Sequence, residues 1–178
     1  MIARRSVLIG AAATLAFAGR ADAVEMIAPA ARDWRFIADG VMGGVSQGRA
    51  VMEGAGLRLT GTVSTANNGG FLQVRTDLPD GAPEGATGLR IRVRGNGARY
   101  FIHLRNRSGR APWQFHQAGF DTGTEFAEID LPFALFEPRG GLRVPAPVAG
   151  DITSLALVAY GADYAADVTL AGFGWITG

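Results

Sequence analysis

The sequence predicts an all-β protein, an antiparallel sandwich or jelly roll. Long helical periodicity is missing. Short runs of alternating apolar and polar residues dominate, and Gly, Pro, Asn and Asp separate them at frequent intervals. With nine or so such runs and no βαβ alternation, two packed antiparallel sheets are the architecture that buries one face of each.

Each element follows from its own pattern. Trp34–Ala38 and Gly70–Thr76 read as short strands. Leu57–Val63 (LRLTGTV) places Leu57, Leu59 and Val63 on one face. Residues 89–94 (LRIRVR) alternate without a fault: Leu89, Ile91 and Val93 face the core, and Arg90, Arg92 and Arg94 face away. Gly95-Asn96-Gly97 follows. Asn and Gly tolerate positive φ, so this reads as a tight hairpin turn into the strand Arg99–Arg105. No helix follows these glycines, so they are not a dinucleotide-binding loop. Trp113–Gln117, Phe126–Phe133, Ile152–Tyr160 and Val168–Ile176 complete the strands. Residues 136–151 (FEPRGGLRVPAPVAGD) form a Pro/Gly-rich loop too long for a simple hairpin, the kind of segment that often carries function.

The N-terminus stands outside this scheme. Arg4 and Arg5 precede an uncharged, mostly apolar stretch from Ser6 to Ala18, and Ala21-Asp22-Ala23 is an A-x-A cleavage signal. A helix of that length reaches only ~20 Å against a hydrocarbon core of ~30 Å. Residues 1–23 therefore read as a removable export signal. Its paired arginines, Ala/Gly-rich apolar stretch and Arg20 resemble a twin-arginine signal. The expected product is periplasmic, cleaved after Ala23, without a transmembrane anchor. Residues 24–33 are an N-terminal segment and 34–178 the domain.

Removing 23 of 178 residues leaves 155, and takes away Arg4, Arg5, Arg20 and Asp22. The formal charge moves from +1 to −1. That near-neutral charge counts against nucleic acid as a partner. The absence of Cys excludes disulfides, thiolate metal sites and a cysteine nucleophile. Every basic side chain is Arg, a bias of genome composition or a preference for planar bidentate donors.

Asp39–Gly48 (DGVMGGVSQG) contains G-x-S-x-G around Ser46, the form of a hydrolase nucleophile elbow. The elbow needs a strand-to-helix turn over a parallel sheet. Residues 49–56 (RAVMEGAG) offer no helical period, and neither His103 nor His116 sits in a triad-like context. A non-catalytic reading follows, with no cofactor. Two histidines alone also fall short of the three or four ligands of a zinc site.

The opening stretch belongs to an ordered set: WRFIADGVMGGVSQG from Trp34, GTVSTANNGGFLQVR from Gly61, GLRIRVRGNGARY from Gly88, WQF at 113–115, LPF at 131–133 and FEPRG at 136–140. This set resembles the complex I intermediate-associated protein 30 family, from about Trp34 to Ile176. The resemblance implies a galactose-binding-like jelly-roll β-sandwich and a non-catalytic assembly role for respiratory complex I. The export signal departs from that setting, so the fold carries over more firmly than the client.

Two candidate binding surfaces result. In the first, the pairs Gly43-Gly44 and Gly69-Gly70 lie close together, Asp39 or Ser46 ties one loop to the other, and Asp39, Asn67, Asn68 and Trp113 rim a small polar pocket. In the second, Arg90, Arg92 and Arg94, with Arg58, Arg75, Arg99 and Arg105 on neighbouring strands, grip an acidic segment, a phosphate or an anionic glycan; Glu128 and Asp130 are the candidate counter-ions. The expected function is that of an exported assembly or binding factor for protein clients of the envelope or a respiratory complex. The alternative is a carbohydrate- or small-ligand-binding module, for which Trp113, Tyr100 and Phe101 would supply the aromatic platform. Trp34 and Trp175 are expected in the core.

Overall fold

The computed structural model describes residues 23–178; the predicted export signal, but for Ala23, lies outside them. Among the described residues there are eleven strands: β1 (Arg35–Ala38), β2 (Gln47–Glu53), β3 (Gly56–Val63), β4 (Phe71–Asp77), β5 (Ala86–Gly95), β6 (Arg99–Asn106), β7 (Phe115–Asp121), β8 (Ala127–Pro132), β9 (Glu137–Arg139), β10 (Ile152–Tyr160) and β11 (Tyr164–Thr177). They form two antiparallel sheets, one in the order β1-β4-β10-β6-β7-β9 and the other β2-β3-β11-β5-β8. Among the described residues no helix is long and apolar enough to cross a membrane.

The alternating runs are the reason. Leu57, Leu59 and Val63 of β3 and Leu89, Ile91 and Val93 of β5 meet Leu72, Val74, Ile102, Leu104, Leu155 and Leu157 of the facing sheet in one core. Trp34 and Trp175 pack against its margin, partly buried, with Trp34 edge-on to Phe173 and Trp175 edge-on to Phe133. The segment before Trp34 lies along β11: Ile27 bridges to Phe173, and the Trp34 indole donates to the Pro29 carbonyl at 2.9 Å.

Gly95-Asn96-Gly97 corrects an expectation. It does not join a hairpin, because β5 and β6 lie in different sheets. Gly97 has φ of +86°, so the chain does reverse tightly. The reversal crosses from one sheet to the other. The Asn96 amide N–H donates to the Asp167 carbonyl, its side chain donates to the Ala165 carbonyl, and it accepts from the Tyr100 hydroxyl. Turn chemistry fixes the reversal of direction; strand partners are fixed by long-range packing. Two strands absent from the sequence reading also appear. β2 extends the sheet from β3 through a tight turn at Gly54, and the short β9 pairs with β7 at the start of the long Pro/Gly-rich stretch.

Candidate functional site

The glycine-rich signature closes on one carboxylate. Asp39 is fully buried. Its Oδ1 accepts from the Ser46 backbone N–H at 3.0 Å. Its Oδ2 accepts from the Ser46 hydroxyl at 2.5 Å, the Gly70 N–H at 2.6 Å and the Phe71 N–H at 3.2 Å. The Ser46 hydroxyl in turn accepts from the Ser64 N–H at 3.0 Å. Burial pushes the Asp39 carboxyl up, but the bonds from Gly70, Ser46 and Phe71 outweigh it and hold the group below the usual carboxylate range.

Each glycine pair divides its work. Gly43 and Gly70 take φ of +90° and +121°, which a side chain would resist. Gly44 and Gly69 make room: a Cβ on Gly44 would stand 2.3 Å from the Asp39 Cγ, and one on Gly69 2.5 Å from its Oδ2. Asn67 and Asn68 turn the second loop with φ of +57° and +58° and are exposed. The two loops thus meet around Asp39. The pocket drawn around them does not form as drawn. Asp39 has no surface to offer, and Trp113 lies at the far end of the sheet, beyond the opposite ends of β6 and β7. Neither histidine is among the hydrogen-bond partners of Ser46. The His103 Nε2 pairs with the Gln117 side chain, and the His116 nitrogens with the Val144 carbonyl and Asn106.

The arginine row is also redistributed. Arg90 forms two bonds to Asp130 at 2.6 and 2.8 Å, with Glu128 at 3.9 Å; Arg92 and Arg94 lie over the Phe126 ring. Arg58 shares their sheet, where it clasps Asp167 at 2.8 Å twice and Glu53 at 3.1 Å. A hollow of about 300 Å³ between Arg58, Arg94, Asn96 and Thr169 is floored by this clasp. Arg75, Arg99 and Arg105 do not join that face. They lie on β4 and β6, in the other sheet.

There they contribute to a different surface. On β10, Leu155, Leu157 and Ala159 face the core, so Ala156 and Val158 face outward. Yet these two are only 2% and 1% exposed. The longer side chains beside them, Gln73 and Arg75 on one side and Phe101 and His103 on the other, close over them, so these small residues leave a covered recess along the middle of the outer face of the six-stranded sheet. One row across it reads Arg35, Arg75, Ala156, His103, Gln117, Glu137. His103 and Gln117, at 7% each, form its polar floor. His103 stacks on Phe115 at 4.0 Å, and Tyr160 stands edge-on to both His103 and Phe101 at 5.8 and 5.9 Å. An aromatic stripe therefore borders amide, imidazole and guanidinium groups. Burial drives the His103 pKa down to about 3, so its ring is neutral.

Sequence reasoning located Phe101 and Arg105 but not this assembly. The alternation in Arg99–Arg105 puts Arg99, Phe101, His103 and Arg105 on one face, and Ile152–Tyr160 reads apolar on both faces. The second pattern is the signal of a strand covered on its outer side.

Among solved structures, the family 11 carbohydrate-binding module of a cellulosomal cellulase of Clostridium thermocellum superposes with a TM-score of 0.65 at 14% identity, over 88% of this chain and 96% of that one. The Clostridium thermocellum family 11 module in complex with a β-1,3-1,4-mixed-linked tetrasaccharide gives 0.62 at 15% identity, over 81% and 88%. A family 30 carbohydrate-binding module gives 0.53 at 13%, over 76% and 92%. These likenesses establish the jelly-roll, galactose-binding-like fold. No curated protein sequence matches the chain. Residues 24–163, which hold both glycine pairs and Asp39, match the family model described as complex I intermediate-associated protein 30. The chain belongs to the complex I intermediate-associated protein 30 family.

Proposed function

We propose that this chain is a non-catalytic binding module of the periplasm whose ligand, a glycan, lies in the recess on the six-stranded sheet. One observation carries the reading: outward-facing polar residues, His103 and Gln117, sit almost fully buried beside the aromatic stripe of Phe101, Tyr160 and Phe115. Sugar rings present apolar faces and hydroxyl edges, and such a recess offers a partner to each. The carbohydrate-binding modules of the same fold support it, one of them solved with a mixed-linked tetrasaccharide. The export signal read in residues 1–23 supports an extracytoplasmic setting.

A second reading has its own observation. The braced signature loop carries Val41, Met42 and Val45 outward, at 75%, 63% and 47% exposure. Rigidly held apolar tips suit a protein client, in keeping with the assembly role of the family. Calorimetric titration with neutral and acidic oligosaccharides separates the readings. Saturable binding, weakened at least about tenfold by Tyr160→Ala, supports the recess. Failure of every oligosaccharide, with a specific envelope protein retained by wild type and lost by Met42→Asp, overturns it in favour of the client.

A further inference from the structure

We propose that the glycan taken by the recess is acidic, a chain of uronate-bearing sugars whose carboxylates are held by Arg75 and Arg105; this rests on the glycan reading above. The charge balance of the face is the ground. Arg35 spends its guanidinium on Asp77, with bonds of 2.9 and 2.8 Å, and Arg139 bonds Glu137 at 2.8 Å. Arg75 and Arg105 have no carboxylate partner among the described residues. Among the described residues the buried Arg75 Nε has no hydrogen-bond partner, and the Arg105 side chain reaches only the Pro112 carbonyl.

The other sheet shows the contrast. There Arg58 and Arg90 each hold a carboxylate through two bonds. Two cations left open in a half-buried place are costly unless something anionic completes them. Burial lowers the pKa of both, Arg35 adds to the effect on each, as Arg75 does on Arg105, and Asp77, already held by Arg35, offsets only part of it. A neutral glycan would cover these guanidinium groups and deepen the cost. A uronate carboxylate matches the planar fork of each. The ring carrying it rests on the stripe of Tyr160 and Phe115, and Gln73 and Gln117 share the same outward face to meet its hydroxyls.

The test is calorimetry of the folded chain with four probes: tetragalacturonate, a neutral mixed-linked glucotetraose, a sulfated tetrasaccharide and a glutamate tetrapeptide. Tetragalacturonate is expected to bind about tenfold tighter than the neutral sugar, with an advantage that shrinks as salt is raised. Arg75→Gln and Arg105→Gln should each remove about tenfold from the uronate and leave the neutral sugar unchanged. Arg105→Lys, which keeps the charge and loses the fork, should fall between. Equal or tighter binding of the neutral sugar overturns the acidic inference and leaves the glycan reading standing. Binding of the peptide as tightly as the uronate overturns the glycan class itself. A sulfated tetrasaccharide matching the uronate in affinity and in both variants would overturn the carboxylate assignment alone.

Discussion

The two regions built around charged side chains are made on opposite terms. Around Asp39, every polar group in reach is spent: one carboxylate accepts four bonds, and two glycines are kept bare so that it fits. On the outer face of the six-stranded sheet, Arg75 keeps a buried nitrogen without a partner and Arg105 has no counter-ion. A satisfied cluster holds a fold together, whereas an unsatisfied one in a recess is held ready for something else. The family signature is thus chiefly a brace, and the proposed binding chemistry lies on strands with no conspicuous motif.

The largest effect should come from breaking the brace. Gly44→Ala and Gly69→Ala each drive a methyl into a carboxylate that four bonds hold in place. Each should cost about 3 kcal/mol or more, roughly a 6–12 °C fall in melting temperature for a domain of this size. Asp39→Ala strands the N–H groups of Ser46, Gly70 and Phe71 and should cost about 3–5 kcal/mol. Thermal denaturation measures all three; a Gly44→Ala protein that melts with wild type would dissolve the distinction between the regions. The brace is also acid-sensitive. The folded Asp39 pKa lies below its unfolded value, so its contribution is full above about pH 4 and is lost as pH falls through the folded value. Asp39→Asn should lack that acid limb.

A smaller effect separates the regions by pH. His103 has a folded pKa of about 3, against ~6.5 unfolded. Its neutral burial is fully compatible with folding above the unfolded value. As pH falls below it, the unfolded chain takes a proton that the fold refuses. Stability should drop by about 2 kcal/mol between pH 6.5 and pH 5. His103→Gln should flatten that slope, as denaturant titrations at the two pH values would show. Below this comes Ser46→Ala, which removes a donor to Asp39 and an acceptor for Ser64. It should cost about 1–1.5 kcal/mol. Neither form should hydrolyse p-nitrophenyl acetate above the buffer rate; hydrolysis dependent on Ser46 would restore the elbow reading.

Strand existence was legible because period-2 alternation is local: residues 57–63 and 89–94 declare their faces without help from the rest of the chain. Sheet membership was not. Nothing in Gly95-Asn96-Gly97 says whether the chain turns back beside itself or crosses to the other layer, since both need the same positive φ. The misplacement of Arg99 and Arg105 follows from that ambiguity, and that of Arg75 from the same silence where the chain passes from β3 to β4 in the other sheet. The Asp39 loops were legible for the converse reason: paired glycines and Asx residues carry their geometry in their own backbones. The recess required knowing that β4, β10 and β6 are neighbours, and no periodicity contains that.

The smallest expected effect is the most discriminating. The Arg75 side chain makes no hydrogen bond among the described residues, and the charges acting on it are Arg35, which repels it, and Asp77, already held by Arg35. An arginine present for stability would be missed when removed. Arg75→Gln keeps much of the apolar stem and gives up only a charge that burial penalises, so the melting temperature should stay level or rise slightly. Its ligand affinity should fall by about an order of magnitude in the same preparation. Loss of stability without loss of binding would turn the comparison around, because Arg75 would then belong with Asp39 among the groups that hold the sandwich together.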